Sequence, residues 1–256
     1  MSKGFSNISQ NTAGILEQEN SLAKYYFEQA EKLRQNNQYQ KAVGRYLNSI
    51  LINKNNTTPY IGLALSYKKL KNYTKAIKTL EKAEKIDPSD VIIQKELALC
   101  NIINGNFEKG IKYLISSIKL EPENLDIQMQ LAITHEIIDE PDMALMIYQK
   151  IIETNPEYLR AYIQKATLYM HQEDYLASAK IFVKIMKINP DYYRAYLALG
   201  ICYEKLGKNA SARRYYIKYL KFRNAKENRS AVLKKLSELK CRILNEPKLK
   251  LISCIN

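Results

Sequence analysis

Residues 59–86, PYIGLALSYKKLKNYTKAIKTLEKAEKI, carry their apolar positions three and four residues apart in two blocks, separated by the polar KN pair. That spacing puts the apolar side chains of each block on one face of a helix. The stretch therefore predicts two short amphipathic helices joined by a tight turn. Asp87-Pro88 closes the second, because proline disfavours helix in the residue before it. The chain then repeats the arrangement. Pro88, Pro122, Pro156 and Pro190 stand 34 residues apart. So do the small residues Ala30, Ala64, Ala98, Ala132, Ala166 and Gly200, and a second small set, Ala42, Ala76, Gly110, Ala144, Ser178 and Ala212. A 34-residue period with two helices per unit predicts an all-α helical solenoid whose core is shared between neighbouring repeats.

Six helix-turn-helix repeats of 34 residues follow from this register: 23–56, 57–90, 91–124, 125–158, 159–192 and 193–226. Helices of the first repeat are expected near Leu22–Gln35 and Gln38–Ile52. Residues 1–22 form an N-terminal extension without a clear period, expected to be loose or to add one helical turn. Lys54 stands where later repeats have proline, which predicts a softer first boundary. Small side chains in both columns let the two helices of a repeat cross closely. Tyr46, Leu80, Leu114, Tyr148, Phe182 and Tyr216 then fill the space beside them. Tyr39, Tyr73, Phe107 and Tyr175 open the second helices; Pro141 replaces them in repeat four, which is expected to be less well packed there. Residues 227–245 read as a C-terminal capping helix, with Val232, Leu236, Leu239 and Ile243 on one stripe, and 246–256 as a flexible tail.

These columns resemble the tetratricopeptide repeat. Repeat two carries the pattern most fully, at Tyr60, Leu63, Ala64, Tyr67, Tyr73, Ala76, Leu80, Ala83 and Pro88. Repeat five matches at Tyr162, Ala166, Tyr169, Tyr175, Phe182 and Pro190, and repeat six at Tyr196, Leu199, Gly200, Tyr203 and Ala212. The resemblance covers residues 23–226, with Tyr or Gln where the family has its usual Trp. It implies a right-handed superhelix whose first helices line a concave groove. It also implies a non-catalytic scaffold that holds a peptide or helix of another protein.

The same resemblance assigns groove positions. They are Ile61 and Leu65 in repeat two; Lys95, Leu99 and Ile102 in repeat three; and Met129 and Ile133 in repeat four. Repeat five contributes Arg160, Ile163 and Thr167, and repeat six Arg194, Leu197 and Ile201. Most are apolar, although the core within a repeat does not require it, and an apolar strip on a concave face marks a binding surface. The alternative is that these side chains pack on the next repeat or on a folded-back terminus. Repeats that clamp the acidic tails of heat-shock chaperones need five polar residues, and the best register here offers Lys95, Leu99, Gln130, Arg160 and Gln164. Leu99 replaces a required Asn and Gln164 a required cation, so a chaperone tail does not fit.

Charge adds a second hypothesis. The net charge is +14, but residues 125–158 carry seven acids against one lysine, while 193–224 carry eight Lys or Arg against one Glu. Arg213, Arg214, Lys218, Lys221 and Arg223 form a basic C-terminal end, with Tyr215 and Phe222 interleaved as candidate base-stacking residues. Nucleic acid or an acidic partner at that end is the alternative to the groove; an AT-rich coding bias toward lysine explains the same excess. Tyr216 and Tyr219 fall on the buried stripe of that helix.

Catalysis finds little support. Gly105–Gly110 imitates a phosphate loop, but Ile111 stands where the lysine belongs. His135 occupies a column filled elsewhere by Tyr67 and Tyr169, and reads as a packing residue. Cys100 and Cys202 share one repeat position beside the core and read as buried thiols, so neither metal nor another cofactor is expected. No apolar run approaches a membrane span, and the polar N-terminus shows no signal region, so a cytoplasmic protein is expected.

Overall fold

The computed structural model describes residues 2–224 and 226–244, with side chains described for 17–224 and 226–240. Within these residues the chain is all helical. The first helices of the repeats are α1 (Ser2–Gln35), α3 (Thr57–Lys69), α5 (Val91–Ile103), α7 (Leu125–Ile137), α9 (Leu159–His171) and α11 (Tyr193–Lys205). The second helices are α2 (Tyr39–Ile52), α4 (Tyr73–Ile86), α6 (Phe107–Leu120), α8 (Pro141–Thr154), α10 (Tyr175–Ile188) and α12 (Asn209–Leu220). A last helix, α13 (Arg229–Leu244), follows. From α3 to α11 every first helix starts 34 residues after the last, as the sequence period requires. The helix α1 differs: it runs unbroken from Ser2, where a start near Leu22 was expected. Residues 2–22 contain no proline, and glycine at positions 4 and 14 costs only about 1 kcal/mol each, so nothing in that stretch forces a break. The expected tail, 246–256, lies outside the described residues.

The tight turn inside each repeat has one backbone solution. Asn37, Lys71, Gly105, Asp139, Glu173 and Gly207 all have φ between 59° and 84° and stand 34 residues apart. This left-handed residue turns the chain so that the next N–H reaches back into the helix just ended. Asn72 N–H donates to the Tyr67 carbonyl at 2.8 Å, and Lys71 N–H to the Lys68 carbonyl at 3.0 Å. The same pair of bonds closes repeats one, three, four and six. Carbonyls otherwise orphaned at a helix end are satisfied this way. Only Gly105 and Gly207 are glycines, so composition did not reveal the column.

Between repeats the chain turns on a short polar side chain. Asn53, Asp87, Asn155 and Asn189 each accept the N–H two residues ahead, at 2.9–3.1 Å. Proline follows the last three, but Asn53 makes the turn with Lys54 behind it. The first boundary therefore uses the same hydrogen bond as these three without the proline. Asn56 and Asp90 then cap α3 and α5, accepting N–H groups of their first turns.

By its contacts the chain forms two units, Met1–Thr134 and His135–Asn256. Each is an all-α stack of helix pairs, a stretch of solenoid. In the first unit α1 packs on α2, α3 on α4 and α5 on α6, with α2 against α3 and α4 against α5. In the second, α9 packs on α10 and α11 on α12, with α8 on α9, α10 on α11 and α12 on α13. The small columns are buried throughout, and so are Tyr46, Leu80, Leu114, Tyr148, Phe182 and Tyr216 beside them. Val232 and Leu239 of α13 join Tyr216 and Tyr219 in the last core cluster, so α13 covers the end of the second unit as a cap.

The three buried tyrosines of the large column each need a partner for the phenol. Tyr46 donates to Glu31, Tyr148 to Glu136, and Tyr216 to Glu204 at 2.6 Å. Glu136 and Glu204 lie twelve residues before their tyrosines; in repeat one Arg34 holds that place and donates to Tyr46 at 3.2 Å. Where the large residue is Leu114 or Phe182 the equivalent position is Ile102 or Met170. A phenol buried without a partner costs on the order of 1–3 kcal/mol, which explains why each tyrosine of the column is matched with charge; Leu80 needs no such match, and Lys68 at its equivalent position pairs with Glu96 instead. His135 is buried as expected, with Nδ1 2.7 Å from Glu140 Oε2 in the turn that Pro141 follows.

Candidate partner-binding surfaces

The first-helix positions split between the two units. In the first unit, Ile61, Leu65, Lys95, Leu99, Ile102 and Ile133 are all partly buried, and none is enclosed. Neighbouring first helices α3 and α5 touch, and Lys68 of α3 pairs with Glu96 of α5. Leu65, Leu99 and Ile133 hold one position in three successive repeats, so they form a row at 34-residue steps. One of the expected residues leaves this surface, and a second is shared with the core. Met129 is fully buried and cannot line an open groove. Ile102 packs against the cluster of Ala98, Leu114 and Ile127, because Gly110 on α6 leaves a space for it: a Cβ there would meet Ile102 Cγ1 at 2.5 Å.

In the second unit Ile163 and Thr167 are partly buried, and Arg160 and Arg194 are exposed. Thr167 turns its hydroxyl to the Ile163 carbonyl at 2.9 Å. Arg194 lies 5.9 Å from the Tyr193 ring and 3.4 Å from Glu227. Leu197 and Ile201 are partly buried and share their surface between solvent and the cluster that α12 and α13 build.

At the basic end Arg213, Arg214, Lys218, Lys221 and Arg223 are all exposed. Their aromatic companions are already engaged. Phe222 packs on Tyr196, with ring centroids 5.1 Å apart, and on Tyr193 at 6.3 Å. Tyr215 stacks on Tyr203 at 5.4 Å with the planes 4° apart. Both rings are half-buried and already have an aromatic neighbour on one side. Tyr216 and Tyr219 are core.

The thiols at Cys100 and Cys202 are buried, and burial pushes both pKa values up, that of Cys100 to about 11. Among the described residues no three His, Cys, Asp or Glu side chains gather into a metal site. No described helix is long and apolar enough to cross a membrane.

Comparison with known proteins now decides the family. Two models described as the tetratricopeptide repeat match residues 58–90 and 163–228. The chain is a tetratricopeptide-repeat protein. Solved structures share the fold. A tetratricopeptide repeat protein from Parabacteroides merdae is 17% identical, with TM-score 0.65 over 90% of this chain and 98% of that one. The C-terminal part of a tetratricopeptide-repeat-containing protein from Cytophaga hutchinsonii is 19% identical, with TM-score 0.68 over 76% of this chain and 78% of that one. YrrB, described as a tetratricopeptide-repeat protein with an unusual peptide-binding site, is 17% identical, with TM-score 0.56 over 73% of this chain and 95% of that one. No curated protein matches the chain significantly. Tetratricopeptide repeats make a protein–protein interaction scaffold, and the helix-pair stacks described above are such a scaffold.

Proposed function

We propose that the chain is a non-catalytic scaffold in which the first-helix face captures a peptide or amphipathic helix of another protein. The observation that carries this reading is the row Leu65, Leu99 and Ile133 in the first unit. These three side chains are partly open to water, and they occupy one position in three consecutive repeats. A partner that covers them gains about 25 cal/mol for each Å² of apolar surface removed from water. Affinity on the order of micromolar, about −8 kcal/mol, suits a rigid surface that does no chemistry. YrrB's described peptide-binding site supports the same use of the fold.

The test is a pull-down from nuclease-treated lysate of the source cells with wild type and Leu99→Glu/Ile133→Glu side by side. A protein retained by wild type and lost from the variant is the expected outcome. Equal retention by both sinks the groove reading. The second reading, an acidic partner or nucleic acid at the basic end, draws on the five exposed cations of 213–223. It predicts binding that falls steeply with salt and survives the Leu99→Glu/Ile133→Glu change.

A further inference from the structure

The first unit has a second recess, on its second-helix side. Between α2 and α4 lies a cleft of about 220 Å³. Leu47 and Ile50 of α2 form one wall, and Leu63 and Tyr67 of α3 line it as well. The other wall is α4, with Lys75, Lys78 and Lys82. No acidic side chain lines it. Leu47 is 47% exposed, and Leu51, one turn further along α2, is 72% exposed.

The three lysines stand three and four residues apart, hence on one face of α4, and span about 10 Å along it. All three are exposed. Lys75 lies 5.7 Å from the Tyr67 ring centre. Among the described residues none of the three forms an ion pair, whereas Lys68 of the same repeat does, with Glu96. The cleft thus joins an apolar floor of side-chain size to a row of uncompensated positive charge.

We infer that this cleft is a second docking site, for an acidic amphipathic helix of a partner protein. An apolar side chain of that helix enters between Leu47 and Tyr67. Carboxylates at i, i+3 or i+4, and i+7 on its flank meet Lys75, Lys78 and Lys82. Exposed ion pairs are each worth only about 0–1 kcal/mol, so the apolar anchor supplies most of the affinity and the lysines select sign and register. A recess that accepts one side chain favours a peptide over a flat lipid surface. The site does not rest on the first-helix reading, since it uses the other face of the repeats.

The probe is a fluorescein-labelled 16-residue helical peptide with two leucines one turn apart and glutamates at i, i+3 and i+7 beside them. Binding is read by anisotropy with the full chain, and circular dichroism checks the fold of every variant. Lys78→Glu/Lys82→Glu is expected to weaken binding at least tenfold, and so is Leu47→Asp. Leu65→Glu/Leu99→Glu on the first-helix face is expected to change it less than twofold. A probe with lysine in place of glutamate is expected to bind at least tenfold more weakly. The inference is overturned if wild type does not bind the acidic probe, if the lysine probe binds equally, or if loss tracks the first-helix variant. Recruitment of phosphatidylserine vesicles through the same lysines, with the peptide ignored, would also overturn it in favour of a lipid surface.

Discussion

The ring of Tyr216 lies where a methyl group on Gly200 would go: a Cβ built on Gly200 comes within 2.4 Å of Tyr216 Cδ1 and Cε1. Gly200 is thus the member of the first small column that lets α11 and α12 close around a full tyrosine. Gly200→Ala should lower stability. Repeats one and four hold an alanine and a tyrosine at the same two positions, Ala30 with Tyr46 and Ala132 with Tyr148. A slight separation of the helices therefore admits the methyl, and the expected loss is about 1 kcal/mol, the low end for overpacking. Urea unfolding measures it. Adding Tyr216→Leu, the residue type of repeats two and three, should remove the clash and so show positive coupling in a double-mutant cycle.

The left-handed column makes a prediction of opposite sign. Lys71, Asp139 and Glu173 hold φ near 60° with a side chain in place. Each substitution to glycine should stabilise the chain by about 0.5–1 kcal/mol, because the αL penalty exceeds the entropy that glycine adds to the unfolded state. Gly105→Ala and Gly207→Ala should cost about 1 kcal/mol each. Thermal or urea midpoints for the five variants should fall in that order. A neutral Lys71→Gly would show that the turn relaxes out of αL in solution.

Alkaline pH should unfold the protein through its buried phenols. Burial, reinforced by the hydrogen bond to a neighbouring glutamate, pushes the pKa of Tyr46, Tyr148 and Tyr216 well above the usual value. A raised folded pKa means that stability is intact below the unfolded value, about 10, and is lost as pH rises toward the folded one. These three phenols should titrate at 295 nm together with unfolding, and not before it. In Tyr148→Phe the alkaline transition should move to higher pH, while stability at neutral pH falls by roughly 1 kcal/mol for the lost hydrogen bond.

Cys100 should be inert. Its thiol is buried, and burial raises its pKa to about 11, with Lys68 opposing and Glu96 reinforcing the rise. At pH 8 a disulfide reagent such as DTNB should react with Cys100 and Cys202 only as fast as the fold opens, and at full rate in denaturant. Fast modification of either in the native protein would contradict their placement in the core.

The sequence by itself determined the repeat. A 34-residue step in small residues, large residues and prolines fixes where the helices from α2 to α12 start, since every unit must bury the same face against its neighbours. It also determined that Tyr216 and Tyr219 are core, and that Cys100 and Cys202 are buried. Tertiary structure decided what the periodic positions do. Met129 and Ile133 are both apolar residues of α7, yet only Ile133 keeps some exposure, because burial depends on what the rest of the fold lays over each side. Leu197 and Ile201 pack in part against the cluster of α12 and α13, and Phe222 against Tyr193 and Tyr196, contacts that no one-dimensional period encodes. The left-handed turn residues were hidden because backbone hydrogen bonds, not glycine, impose the geometry at four of six sites. The cleft beside Lys75, Lys78 and Lys82 needed the fold most of all: its two walls come from helices more than twenty residues apart, and only their packing makes a recess of them.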